Sequence, residues 1–271
     1  MLECVINISE GRRATVLDEL SGASGASLRD CHHDAFHNRS VFTLINDRAP
    51  LVRDVRALIG RAFSLLDLRA HEGVHPRFGV VDVVPFVALD ESESPVALEL
   101  RDETARWIVA MFDVPTFLYG ALENGERTLP HVRRNAFKDL WPDFGPPTAS
   151  PTLGAVAVGA RPLLVAWNLW LIGLTIEDAR RIASSIRCRE VRALAFSVGG
   201  QVQVSCNLID PSRRGPGVVY DQVTSLLPEG AAILRAELVG LVPRDVLIGE
   251  DPRRWAQLDI GEDRTIEGRI P

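Results

Sequence analysis

The stretch Trp141–Gly154, WPDFGPPTASPTLG, holds four prolines and two glycines in fourteen residues. Proline removes a backbone donor and glycine weakens any regular element, so neither helix nor strand can run through it. It is long for a connection inside a compact domain, which points to a boundary or to a loop with a function. The boundary is placed just after it, near Ala160, giving 1–160 and 161–271. With 271 residues the chain is long enough for two small domains.

Before the break, strands and helices alternate. Residues 2–8 read as a strand that contains Glu3, 12–21 as a short helix, and 26–33 and 39–46 as two strands. Leu51, Val55, Leu58, Ile59, Ala62 and Leu66 recur at helical spacing. Residues 80–88 form an apolar strand, 95–110 a helix and 115–119 a short strand. After the break, 161–172 reads as a strand, 176–187 as a helix, 191–198 and 201–208 as strands, 216–227 as a helix and 233–241 as a strand. That β-α-β-β-α-β order is the ferredoxin-like plan. In 201–208, Val202, Val204, Cys206 and Leu208 share one face. Gln201, Gln203, Ser205 and Asn207 share the other, facing either solvent, the commoner case, or a wet cavity. The tail from Thr265 is polar and is expected to fray.

The formal charge is −6, and no Lys/Arg run exceeds a pair, so nucleic acid is set aside as a partner. The cysteines Cys4, Cys31, Cys188 and Cys206 have no metal-ligand spacing and read as free thiols of a reducing, cytoplasmic setting. The chain opens on a strand-like run, with no leader and no apolar stretch of membrane-spanning length, so no membrane partner is expected.

Five of six histidines fall in two clusters: His32, His33 and His37 in CHHDAFHNRS, and His71 and His75 in AHEGVHPRFG. Histidine titrates near neutrality, so clusters beside turn residues mark a candidate site. His71 to His75 also fits H-E-x-x-H, the zinc-protease pattern. That chemistry needs a helix to bring both imidazoles to one face. Gly73 inside the motif and Pro76 after it oppose a helix, so no metal is expected.

Several segments carry a resemblance. HEGVHPRFGVVDVVPF is similar to the formiminotransferase signature H-x-G-E-H-P-R-x-G-x-x-D-V-x-P-F, and ECVINISEGR resembles that family's E-C-V-P-N-F-S-E-G-R. HNRSVFTL, VPTFLYG, RTLP, WPDFGPPTASPTLGAVAVGARPLLVAWN, VQVSCNLID and ELVGLVP resemble further family blocks in the family's order. The resemblance implies an α/β (α+β) fold of two ferredoxin-like-related sandwich subdomains with mixed sheets. The N-subdomain would be 1–160 and the C-subdomain 161–271, with a ligand groove between them and a homodimer in solution. It implies transfer of a formimino group from N-formimino-L-glutamate to tetrahydrofolate as co-substrate, without a cyclodeaminase domain in this chain.

The family's catalytic histidine maps onto His75. Its folate-contacting stretch maps onto Gly145, Pro146, Pro147, Thr148, Ala149, Ser150, Pro151, Thr152, Leu153 and Gly154. Amidine exchange needs one proton removed and one delivered, which a base of pKa near 7 can do in turn. A carboxylate would stabilise the cationic formimidoyl group. Asp34, Glu72 and Asp82 are candidates, with Asp34 favoured by its place before the N-R-S segment. Asn7, His37 and Asn38 stand as substrate-binding candidates, Asn7 with the alternative of a plain turn residue. Arg39, Arg77 and Arg161 pair with substrate carboxylates or serve as structural ion-pair partners.

Two positions depart from the pattern. Val74 stands where the family usually has Glu, and Phe36 where relatives often show Asp. These departures leave two alternatives open: a divergent member using another amidine or one-carbon donor, and a non-catalytic folate-binding protein.

Overall fold

The computed structural model describes residues 1–74 and 76–270. The chain divides into two compact units, Met1–Pro162 and Leu163–Pro271. The first has the element order β1 (Leu2–Ile8), α1 (Ala14–Ala23), β2 (Leu28–Asp34), β3 (Arg39–Asn46), α2 (Arg48–Leu65), β4 (Val81–Ala88), α3 (Ser94–Phe112), β5 (Thr116–Leu122), β6 (Gly125–Arg127), α4 (Leu129–Asn135) and β7 (Val156–Ala160). Its seven-stranded sheet runs β2-β3-β1-β4-β7-β5-β6. β4, β7 and β5 are parallel, and the remaining pairs are antiparallel.

Strand alternation sorts this sheet into two faces. Leu2, Cys4, Ile6 and Ile8 of β1 join Phe42, Leu44, Val84, Phe86, Val156 and Val158 under the apolar stripes of α1, α2 and α3. The opposite face carries a smaller apolar cluster of Val83, Phe117, Tyr119, Ala155 and Ala157, where α4 adds Val132. Glu3 and Asn7 lie on that second face by their register in β1.

The second unit contains β8 (Val165–Ile172), α5 (Ile176–Ile186), β9 (Val191–Val198), β10 (Gln201–Leu208), α6 (Pro216–Leu226) and β11 (Ala232–Val239). Its sheet, β11-β8-β10-β9, is antiparallel throughout, as the ferredoxin-like plan requires. α5 starts on a capping box in which Thr175 and Asp178 each satisfy the other's backbone N–H.

Several expectations need correcting. The first strand after the break starts at Val165 rather than at residue 161. The helix α4 and the strands β6 and β7 were not foreseen; the first two are seven and three residues long, too short for a periodic signal. The polar face of β10 is not simply solvated. Gln203 is 1% exposed, and its side-chain amide donates to Glu237 Oε2, which also accepts from Trp170 and Asn168. The tail does not fray from Thr265. Thr265 is buried, Ile266 donates its N–H to the Val242 carbonyl, and residues Ile266–Arg269 form a helical turn capped by the Thr265 hydroxyl.

One contact fixes the second face of the first sheet. Tyr119 stands beside Gly159 in the β5–β7 ladder, and a Cβ at Gly159 would sit 2.1 Å from the Tyr119 ring. Gly159 is glycine because the phenol ring crosses over its backbone. We expect Gly159→Ala to cost about 2 kcal/mol through overpacking, read from denaturant midpoints. Adding Tyr119→Leu is expected to recover part of that loss, and an additive double variant would contradict the contact.

Candidate active site

Two loops of the first unit interlock. β2 and β3 form a hairpin closed by the Asp34–Arg39 pair, with residues 35–38 as its loop. Asp34 Oδ1 accepts the His37 N–H at 2.7 Å, a local turn that aspartate favours. Asn38 takes a left-handed conformation, φ 47°, which asparagine tolerates better than most residues. Its side chain then bridges outwards: Oδ1 accepts the Gly11 N–H at 2.9 Å and Nδ2 donates to the Glu72 carbonyl at 2.9 Å.

The histidine-bearing segment after residue 70 is not helical, and His71 is extended at φ −94°, ψ 126°. A carbonyl can only accept, so His71 Nε2 is the donor to Asn38 O at 2.7 Å. Burial holds the His71 pKa below its ordinary value. His71 is therefore a neutral clamp between the loops. Gly73 approaches so closely that a Cβ there would lie 2.3 Å from the His37 carbonyl oxygen. The Val74 N–H donates to Phe36 O at 3.4 Å. Arg77 donates to the carbonyls of His71 and Gly73, and the Phe78 N–H donates to Asp82 Oδ1 at 2.7 Å. The chain on both sides of position 75 is thus tied down; His75 itself lies outside the described residues.

Asp82 has no exposed surface. The register of β1 on β4 shifts between Asn7, opposite Val83, and Ile8, opposite Val81. Asp82 is skipped by that irregularity, which re-aims its side chain. Arg133 grips it with both terminal nitrogens, at 3.1 Å and 2.6 Å, and Arg39 Nη1 reaches it at 2.5 Å. Asn7 Oδ1 accepts from Arg39 Nε and Nη2. Burial lowers the Arg39 pKa, Asp82 opposes that shift, and the neighbouring Arg133 adds to it. The charge of Asp82 also acts on Arg77. One carboxylate and three guanidiniums leave a local excess of positive charge in an acidic protein.

The proline-rich stretch is an ordered wall pinned to the histidine segment. Ser150 and Gly154 exchange backbone hydrogen bonds at 2.9 Å. The Thr152 carbonyl accepts from Leu68 N–H, and the Leu153 carbonyl from Val80 N–H. The Ala155 N–H donates to Phe78 O. Gly145, Pro147, Thr148, Ala149 and Pro151 are exposed.

Of the other candidates, Glu72 is exposed and its backbone carbonyl is what Asn38 holds. Arg161 lies further along the sheet, its N–H on Phe86 O at 3.1 Å and its Nη1 on Pro162 O at 3.0 Å. Sequence reasoning did not single out Arg133, which sits on the unforeseen α4. Nor did it single out Glu3, although a glutamate inside an apolar strand was visible. Burial pushes the Glu3 carboxyl up to about 7, with Arg161 opposing, and pushes the Tyr119 hydroxyl up to about 12, again with Arg161 opposing. Among the described residues no group of three or more His, Cys, Asp and Glu stands ready to hold a metal, and no helix is long and apolar enough to cross a membrane.

Two expectations follow. Asp82→Asn removes the counter-charge from buried guanidiniums and should lower stability by about 3 kcal/mol, measured by chemical denaturation; a loss below about 1 kcal/mol would contradict the role given to Asp82. For Glu3 the sign runs the other way. At low pH the carboxyl is neutral in both folded and unfolded chains. As pH rises from 4.5 to about 7, the unfolded chain ionises first, so stability falls by an amount on the order of 3 kcal/mol. Glu3→Gln should flatten that fall, and stability-versus-pH curves of the two proteins that coincide would contradict it.

Comparison with known proteins agrees with the loops. Residues 1–161 match the family model described as formiminotransferase domain, N-terminal subdomain. A glutamate formimidoyltransferase of Thermoplasma acidophilum is 32% identical over 273 residues, covering 92% of this chain and 90% of that protein. One of Streptococcus pyogenes is 31% identical over 271 residues, covering 92% and 91%. A formimidoyltransferase-cyclodeaminase of Gallus gallus is 31% identical over 281 residues, covering 92% of this chain and 51% of that longer protein. With the family model spanning more than half of the chain and relatives matching nearly end to end, this chain belongs to the formiminotransferase family of transferases.

Proposed function

We propose that this protein transfers a formimino group from N-formimino-L-glutamate to tetrahydrofolate, with His75 as general acid and base. The observation that carries the reading is the near end-to-end match to stand-alone glutamate formimidoyltransferases. It is supported by the tethering of the chain on both sides of position 75 to the 36–38 loop and to Asp82.

In this mechanism His75 takes the proton from N5 of tetrahydrofolate as that nitrogen bonds to the formimino carbon. It returns the proton to the glutamate nitrogen as the old carbon–nitrogen bond breaks. The products are 5-formimino-tetrahydrofolate and glutamate, and no redox partner is needed. Asp34 is the carboxylate assigned to the cationic formimidoyl group. Arg39 and Arg77, in the region of excess positive charge, are assigned to substrate carboxylates with Asn7, His37, Asn38, Glu72 and Arg161 as further substrate contacts. Gly145 to Gly154 is the folate wall; exposed prolines present a rigid surface that loses little entropy on binding. Residues 1–160 and 161–271 are assigned as the N- and C-subdomains of a cytoplasmic homodimer.

One observation favours a second reading. Val74 and Phe36 are joined by a backbone hydrogen bond, and their side chains are 48% and 52% exposed. The two departures from the family pattern thus lie side by side, as a change in donor preference would place them.

Pure protein mixed with tetrahydrofolate and N-formimino-L-glutamate should form 5-formimino-tetrahydrofolate. His75→Ala should slow turnover by about 100-fold or more, the scale of a lost acid–base group, with its circular dichroism unchanged. An unaffected rate removes His75 from its role. Turnover only with other amidines supports the second reading, and folate binding with no turnover of any donor makes the protein a folate binder.

A further inference from the structure

We propose that Arg133 holds a carboxylate of the amino-acid donor, as the second guanidinium of a subsite it shares with Arg39. The proposal rests on the transfer reading above and adds to it a residue that has no role there so far.

The placement of Arg133 starts in the sequence of α4. Thr128 caps the helix by accepting the His131 N–H, and Pro130 fits its first turn. Val132 is fully buried in the smaller apolar cluster, so Arg133, the next residue, is turned about 100° away from it. Three rings fix the far end of the helix. Phe137, just after α4, packs edge-on against Phe117 of β5 at 5.0 Å, and Phe78 of the histidine segment meets both rings. α4 and the histidine segment are thus held together by aromatic packing, independently of any ligand.

Arg133 spends only part of its hydrogen-bonding capacity on the protein. One N–H on each terminal nitrogen goes to Asp82. A guanidinium carries five N–H groups, and the remaining three, Nε–H among them, bond to no described residue. The side chains of Arg133 and Arg39 are 23% and 16% exposed, while Asp82, which both grip, has no exposed surface. What reaches solvent is cationic, and the acid that aligns the guanidiniums lies beneath. Burial lowers the Arg39 pKa, and Arg133 and Arg77 lower it further against the pull of Asp82. An added anion relieves that repulsion. Guanidiniums set by a buried counter-ion suit a carboxylate, which takes two N–H donors side by side.

The reaction offers two sources of carboxylate, the donor and the glutamate tail of the folate. Position favours the donor. Phe78, whose N–H also bonds Asp82, is three residues from position 75, at most roughly 11 Å along the chain. Both donor carboxylates lie within a few bonds of the nitrogen that gives up the formimino carbon. The folate glutamate lies beyond the p-aminobenzoyl ring from N5.

The test changes both the residue and the ligand. N-formimino-L-glutamate is titrated by calorimetry into wild type, Arg133→Lys and Arg134→Gln, each saturated with folic acid, whose N5 carries no hydrogen to exchange. Two trimmed donors, one without the α-carboxylate and one without the γ-carboxylate, are titrated alongside, and melting temperatures are recorded. Lysine keeps a charge on Asp82 but lacks the planar fork. Arg133→Lys should bind the full donor about tenfold more weakly or worse, the scale of one lost charge-assisted hydrogen bond. It should match wild type on one of the trimmed donors. Arg134→Gln, which removes an exposed neighbouring charge, should bind like wild type. In turnover, KM for the donor should rise in Arg133→Lys while kcat and KM for tetrahydrofolate stay near wild type. An Arg133→Lys protein with wild-type donor affinity, or one weakened equally on all three donors, overturns the contact. So does a rise in KM for tetrahydrofolate that vanishes with tetrahydropteroate, which gives Arg133 to the folate tail. The expected binding pattern without any turnover leaves the contact standing and sinks the transfer reading. Wild type that does not bind the donor overturns both. If Arg133→Lys melts far below wild type, Arg133→Gln is read in its place by the same criteria.

Discussion

Asp82 has no exposed surface, yet four hydrogen bonds from Arg39, Arg133 and the Phe78 N–H converge on its two oxygens. Burying a carboxylate is tolerable only when donors replace the lost water, and here they come from β3, α4 and the segment leading into β4. That requirement ties together three parts of the chain that are distant in sequence. It fixes the end of the histidine segment through Phe78 and the height of Arg39 above the sheet. It also explains why α4 folds across this face although it has only seven residues.

The irregularity that frees Asp82 shows how a sheet changes from core to site. Along β4, Val81, Val84 and Phe86 face the large apolar cluster while Val83 faces the smaller one. Strict alternation would put Asp82 under the helices, where no donor waits. The shift in register beside Ile8 turns it towards Arg39 instead. The second face of this sheet is then polar at both ends of β1, with Asn7 and Arg39 at one and Glu3 at the other. In the second unit the corresponding device is Glu237, which gathers Trp170, Asn168 and Gln203 on the face away from α5 and α6. In both units one acid gathers donors from parts of the chain that are distant in sequence.

Much of this was legible along the chain. The ferredoxin-like order of the second unit followed from helical spacing in 176–187 and clean alternation in 201–208, because both elements bury one continuous face. The proline-rich stretch announced an irregular ordered segment, and the non-helical course of His71 to Val74 followed from Gly73 and Pro76. The element boundaries were less legible. β7 was hidden behind the prolines, and Thr265 and Ile266 looked dispensable because their burial depends on Val242, more than twenty residues earlier.

Sequence alone determined the alternation of strands and helices, the family to which the loops belong, and the local turns, since each depends on neighbouring residues or on motifs read in order. Tertiary structure decided which charges meet. The pairing of Asp82 with Arg133, the neutral clamp made by His71, the adjacency of Phe36 and Val74, and the burial of Glu3 beside Val87 all arise from strand register and loop contact between residues far apart along the chain. Electrostatic energy depends on distance in space and on burial, and neither is written in the spacing of residues along a chain.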